Sequence, residues 1–93
     1  MNIIYEPKFV KSFTTIWDFI SIDSKVRANK FKIELKDKIE DLVYMPYKFR
    51  KSIYFDDDKV RDLIFKGYVI PYRIDKLKNV IFIVGINKYQ NDI

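Results

Sequence analysis

The 93-residue chain predicts an α+β domain: an N-terminal strand, an antiparallel two-helix hairpin, then a four-stranded, mainly antiparallel sheet. Two observations carry this prediction. As far as Leu42, apolar residues recur at spacings of three and four, the period of one helical face. Beyond Pro46 they fall instead in short β-branched and aromatic runs, parted by the turn-forming strings "DDDK", "KG" and "DKLKN".

Taken in order, "NIIYE" (2–6) fits a first strand, and Pro7 suits the first position of a helix, where its missing N–H is not needed. Phe9, Phe13, Ile16, Trp17 and Ile20 share one helical face and predict a helix over 8–20. "SIDS" (21–24) supplies Ser and Asp, which suit turns and N-caps. A second helix is predicted over 24–44, with Ala28, Phe31, Leu35, Ile39 and Leu42 as its apolar stripe. Lys30, Lys32, Glu34, Lys36, Asp37, Lys38 and Glu40 then form a solvated face. On that face Glu34 and Lys38 support the helix while Asp37 and Asp41 oppose it, each pair by a few tenths of a kcal/mol. The helix should stop before Pro46, because the residue preceding proline disfavours the α region. Four strands follow: "KSIYF" (51–55), "VRDLIF" (60–65), "YVIPYRI" (68–74) and "VIFIVGI" (80–86). The last is apolar at nearly every position, which predicts burial on both faces. Pro71 removes a donor from an internal strand, so either the strand bulges there or its neighbour is irregular.

Composition narrows the function. A chain that is 48% hydrophobic and 17% aromatic, with two Gly and three Pro, is folded rather than disordered. Its length predicts a single domain over residues 1–93. Cys is absent, which excludes a disulfide framework and thiolate chemistry; His is absent, which removes the usual general base and His- or Cys-based zinc sites. Any catalysis falls to Lys, Arg, Tyr, Asp and Glu. Asp56, Asp57 and Asp58 are not followed by the Gly and further ligands of a calcium loop, so no metal and no cofactor is expected. The net charge of +5, from 18 basic and 13 acidic residues, favours polyanions or an acidic protein partner. No stretch approaches the ~20 apolar residues of a membrane span, and "MNIIYEPKF" does not read as a secretory signal. A cytoplasmic location without membrane association is the expectation.

Strand alternation places Arg61 with Leu63 and Phe65, and Arg73 with Val69 and Pro71. If the helices cover the first face, Arg61 sits at the core margin, paired with an acid such as Asp75 or Glu6, and Arg73 lies on the open face. Tyr68 and Tyr72, four apart, suit either a base-stacking platform or core lining. "MPYKFRK" (45–51) interleaves aromatics with Lys48, Arg50 and Lys51, which suit contact with phosphate or an acidic protein surface.

The element order, together with "VRDLIFKGYVIPYRID" followed by "VIFIVGI", resembles the RelE/ParE family of type II toxins. The matching residues are Val60, Arg61 and Leu63, then Gly67, Tyr68, Tyr72, Arg73 and Ile74; "LVYMPYKFRKS" (42–52) sits where the family has Leu, Pro and a basic residue before the sheet. The resemblance covers nearly the whole chain. It implies a bacterial growth inhibitor paired with an acidic antitoxin, acting either as a non-catalytic poison of DNA gyrase or as a ribosome-dependent endoribonuclease on messenger RNA. A module that binds the antitoxin without toxicity is a third possibility. In the nuclease branch an Arg follows the Gly-Tyr of the penultimate strand, and here Val69 stands there. A basic residue also follows the Gly of the last strand, but here Ile86 and Asn87 precede Lys88. Both departures favour the gyrase branch. If the protein is a nuclease, its catalytic set is Arg61, Arg73, Lys88 and Tyr89. The target-binding candidates are Lys48, Arg50, Lys51, Arg73, Lys88 and Tyr89.

Overall fold

A computed structural model of the protein describes residues 1–89. The chain forms β1 (Asn2–Tyr5), α1 (Pro7–Asp23), α2 (Lys25–Glu40), a 3₁₀ turn (Asp41–Val43), β2 (Val60–Phe65), β3 (Tyr68–Asp75), β4 (Val80–Ile83) and β5 (Asn87–Lys88). The sheet order is β1-β4-β3-β2, with β5 pairing along β3 beyond the end of β4. β1 runs parallel to β4; the other strand pairs are antiparallel.

Ser24 alone parts the helices. Its N–H donates to the Ile20 carbonyl and closes α1, while its hydroxyl accepts from the Arg27 N–H at 3.1 Å and opens α2. The predicted turn over 21–24 therefore shrinks to one residue. At the other end α2 gives way at Asp41 to the 3₁₀ turn ahead of Pro46, instead of continuing to Tyr44. The predicted stripe of α2 is buried: Ala28, Phe31, Leu35 and Ile39, with Leu42 just beyond. In α1, Phe9 is buried and Phe13, Ile16 and Ile20 are partly so. Phe31 joins the layers, stacking on Phe13 at 6.1 Å and meeting Phe65 and Tyr68 of the sheet at 5.5 Å each. Glu34 turns away from the predicted Lys38. It pairs with Lys30 one turn earlier and with Lys66 from the β2–β3 turn, tying hairpin to sheet.

The register sets two faces. Leu63, Phe65, Ile70, Tyr72, Ile74, Ile81 and Ile83 point toward the helices and form the core. Val60, Asp62, Val69, Pro71, Arg73 and Phe82 occupy the other face, open in that no helix covers it; Val60, Asp62, Val69 and Pro71 are still buried there, while Arg73 and Phe82 are partly exposed.

Two predicted strands are corrected. Residues 51–55 form no strand; they make one bridge, Lys51 to Arg61. The main chain starts to pair, with Ser52 N–H on the Val60 carbonyl and Asp62 N–H on the Arg50 carbonyl. It is then diverted, because the Ile53 N–H goes to the Asp62 carboxylate and the Tyr54 N–H to the Ser52 hydroxyl. Side chains thus capture the donors a ladder would need. The run over 80–86 is split as well. Between the pairs Tyr72–Ile83 and Val69–Asn87, two residues of β3 face three, Val84, Gly85 and Ile86. This bulge accommodates Pro71. In an extended strand N–H and C=O point to the same side, and the Pro71 carbonyl accepts from Val84. The missing donor therefore faces the irregular segment, where no ladder bond is lost.

Candidate functional site

On the helix-facing side, Arg61 sits at the core margin as expected, but its partners are not acids. Its Nε donates to the Asp58 carbonyl and its Nη1 to the Phe49 carbonyl, both at 3.2 Å, and the guanidinium lies 5.0 Å from the Tyr47 ring. Arg61 thereby clamps both ends of the 49–58 segment to β2. Tyr72, opposite it, is fully buried and donates to the Pro46 carbonyl at 2.6 Å. Burial pushes its hydroxyl well above the ordinary tyrosine range. Tyr68 packs edge-on against Phe31. The two tyrosines line the core, and the stacking-platform alternative does not hold.

The open face carries Arg73, stacked on Phe82 with its guanidinium carbon 4.4 Å from the ring centroid, a cation–π geometry. Arg73 makes no ion pair among the described residues. Two residues along β3, opposite Pro71, stands Asp62. Its side chain is fully buried; Oδ2 accepts from the Ile53 N–H at 3.1 Å and lies 3.6 Å from Arg50 Nη2. The Arg50 guanidinium in turn lies 6.0 Å from the Tyr89 ring. Tyr89 is held by its N–H on the Gly67 carbonyl at 2.7 Å. Arg50, Asp62, Tyr89 and Arg73 thus share one face. Alternation in a strand reads Asp62 as a solvated polar residue between Val60 and Ile64; no local pattern reveals that the 50–53 segment folds over it.

The other candidates lie apart. Lys88 pairs with Tyr68, five residues along β3 from Arg73, roughly 17 Å at the rise of a strand. Its side chain belongs to the helix-facing side, as that pairing requires. Lys51 holds Asp58 at 2.9 Å, which keeps that carboxyl below its usual range. Lys48 extends over the neighbouring Phe49. Val69, at the position where the nuclease branch has Arg, is buried. The nuclease candidates Arg61, Arg73, Lys88 and Tyr89 are therefore distributed over two faces and both ends of β3.

The hairpin presents a second surface. A groove of about 240 Å³ runs between β1 and the helices, floored by Tyr5, Phe9, Phe13, Leu35 and Ile39 and rimmed by Lys32 and Lys36. Burial, and then the charge of Glu40, raise the Tyr5 hydroxyl above its ordinary value. At the tip of the hairpin Phe19, Ile22 and Val26 are 74%, 81% and 78% exposed. Among the described residues, no helix is long and apolar enough to cross a membrane.

An N-terminal strand, a helical hairpin and a mixed sheet with one parallel pair define the architecture of the RelE and ParE toxins. Two solved structures show the likeness over nearly the whole chain. A chain of the chromosomal ParDE TA system from P. aeruginosa superposes with a TM-score of 0.75 at 16% identity, covering 97% of each chain. The isolated E. coli RelE toxin gives a TM-score of 0.64 at 17% identity, covering 98% of this chain and 86% of that one. At such identities the likeness is one of fold. The family model of the ParE toxin of type II toxin–antitoxin systems matches residues 3–93, and the chain belongs to that family. A comparison with curated proteins gives no match.

Proposed function

We propose that this toxin acts in the cytoplasm in the ParE-like manner, poisoning DNA gyrase without chemistry of its own, and that an acidic antitoxin neutralises it. The observation that supports the non-catalytic reading is the separation of Arg61 and Arg73 on opposite faces of the sheet. Metal-free RNA cleavage needs a base, an acid and a cation converging on one phosphate. Here Arg61 is committed to two carbonyls, Lys88 lies far along β3, and Val69 carries no charge. One missing preorganised cation costs about 10²–10³ in rate. For the antitoxin, support comes from the +5 charge, from the exposed apolar tip of the hairpin and from the shallow groove that opens beside Tyr5. A partly disordered acidic segment can order along such a surface, its apolar side in the groove and its acids near Lys32 and Lys36.

Induced expression should arrest growth with double-strand breaks in DNA, and the purified protein should inhibit supercoiling by gyrase. Primer extension on ribosome-bound messages should show them intact. Codon-positioned cleavage, abolished by Arg73→Ala or Lys88→Ala, would instead establish the messenger RNA interferase. Normal growth of the host would leave a module that only binds the antitoxin.

A further inference from the structure

Asp62 is the one charged side chain fully buried among the described residues. Its strand neighbours on the same face are Val60, buried, and Ile64, which is exposed. An apolar residue would suit this position, and replacing a buried ion pair by well-packed apolar groups is often neutral or stabilising. What the carboxylate does that a valine could not is hold a cation in place. Arg50 is tied to Asp62 twice, by its carbonyl on the Asp62 N–H at 3.1 Å and by Nη2 near Oδ2 at 3.6 Å. The same oxygen fixes the Ile53 N–H, so the segment carrying Arg50 cannot drift from the sheet. The guanidinium is thereby held near Tyr89, with its side chain 42% exposed on the open face. A free arginine side chain loses much rotamer entropy when it engages a partner; one already fixed loses less.

We propose that Asp62 is a positioning residue that fixes the Arg50 guanidinium over Tyr89, so that the toxin presents a pre-oriented cation to an anionic oxygen group of its target. The inference rests on the toxin reading, because it gives Arg50 a target to meet. That group is a protein carboxylate, because a poison without chemistry of its own acts by holding a protein target.

Asp62→Asn tests it, since the amide oxygen still accepts from Ile53 while the attraction to Arg50 is lost. The full-length wild type, Asp62→Asn, Arg50→Ala and the double variant are compared in two ways. The first is NMR of the Arg50 Nε–H group, which should be ordered and slow to exchange in the wild type and mobile in Asp62→Asn. The second is the dose needed for growth arrest. Each single variant should need about tenfold more protein, the size of one charge-assisted contact, and the double variant no more than either single. Binding to gyrase with and without DNA tests the anion: a loss by Arg50→Ala in both forms supports the carboxylate, and a loss confined to the DNA-bound form overturns it in favour of a phosphate. If Asp62→Asn fails to fold, the surface variant Arg50→Ala decides, and wild-type potency for it overturns the proposal. Additive effects, or an Arg50 signal unchanged by Asp62→Asn, overturn it as well. A wild type that leaves growth normal refutes the toxin reading instead, and the NMR comparison still tests the positioning.

Discussion

Arg61 and Arg73 sit on adjacent strands of one hairpin, yet the pleat turns them to opposite sides and gives them different work. Arg61 faces inward and satisfies the carbonyls of Phe49 and Asp58, whereas Arg73 stacks on Phe82 on the open face. Tyr72 shows the same division at its two ends: the ring fills the core and the hydroxyl caps the Pro46 carbonyl. Tyr72→Phe should leave that carbonyl unpaired and cost about 1–2 kcal/mol near neutral pH. The pH dependence follows from burial. The folded-state pKa is raised above the ordinary 10.0, so the stability gained by keeping the hydroxyl neutral is present in full below pH 10 and lost as pH rises beyond it. Urea unfolding at pH 8 and pH 10.5 should therefore show the gap between wild type and Tyr72→Phe narrowing with alkali. A constant gap would place the titration elsewhere.

At the scale of elements, the β2–β3 hairpin closes through Lys66 and Gly67, at φ 47° and 83°. Both residues are left-handed, as the two-residue turn between paired Phe65 and Tyr68 requires. A Cβ on Gly67 would meet nothing within 4 Å, so Gly67→Ala carries a backbone cost without a clash. That cost should be about 1 kcal/mol, lowering the melting temperature by roughly 4–8 °C in a domain of this size. The helical hairpin depends on Ser24 in a similar way. Ser24→Ala removes the acceptor for Arg27 N–H and should cost about 1 kcal/mol in thermal unfolding, while Ser24→Asp should hold stability near wild type. The 51–55 segment shows the opposite behaviour. Its β-branched and aromatic residues favour a strand, but Asp62 and Ser52 take the N–H groups of Ile53 and Tyr54.

Considered as a whole, the molecule exposes large apolar residues on the hairpin as well as along the 44–55 segment and at Leu77, and it stacks Arg73 on the sheet face away from the helices. The tip at Phe19, Ile22 and Val26 is exposed in the isolated chain, and the groove beside β1 is open at Tyr5 over a floor of buried Phe9, Leu35 and Ile39. A partner that binds the folded chain alone stabilises it by mass action, by roughly 2.7 kcal/mol at 100 times its Kd. The cognate antitoxin should accordingly raise the melting temperature by ~10 °C or more. An antitoxin that co-purifies without such a shift would bind elsewhere than on ordered structure.

Much of this protein was legible from local pattern. The apolar stripe of α2, the N-terminal strand, the Lys66–Gly67 turn and the two faces of β2 and β3 all follow from periodicities that the chain carries in consecutive residues. So does the family, because its motifs lie within those strands. What required the folded chain were contacts between segments far apart in sequence. A buried acid and a solvated one look the same in "VRDLIF"; the 50–53 segment, brought back across β2, decides between them. The split of the last strand depends on a proline in its neighbour, and the end of the strand expected over 51–55 depends on the Asp62 carboxylate nine residues from Ile53. Local backbone preferences amount to about 1 kcal/mol or less per residue. A desolvated carboxylate left without a partner costs several times that, so where the two conflict the tertiary contact prevails.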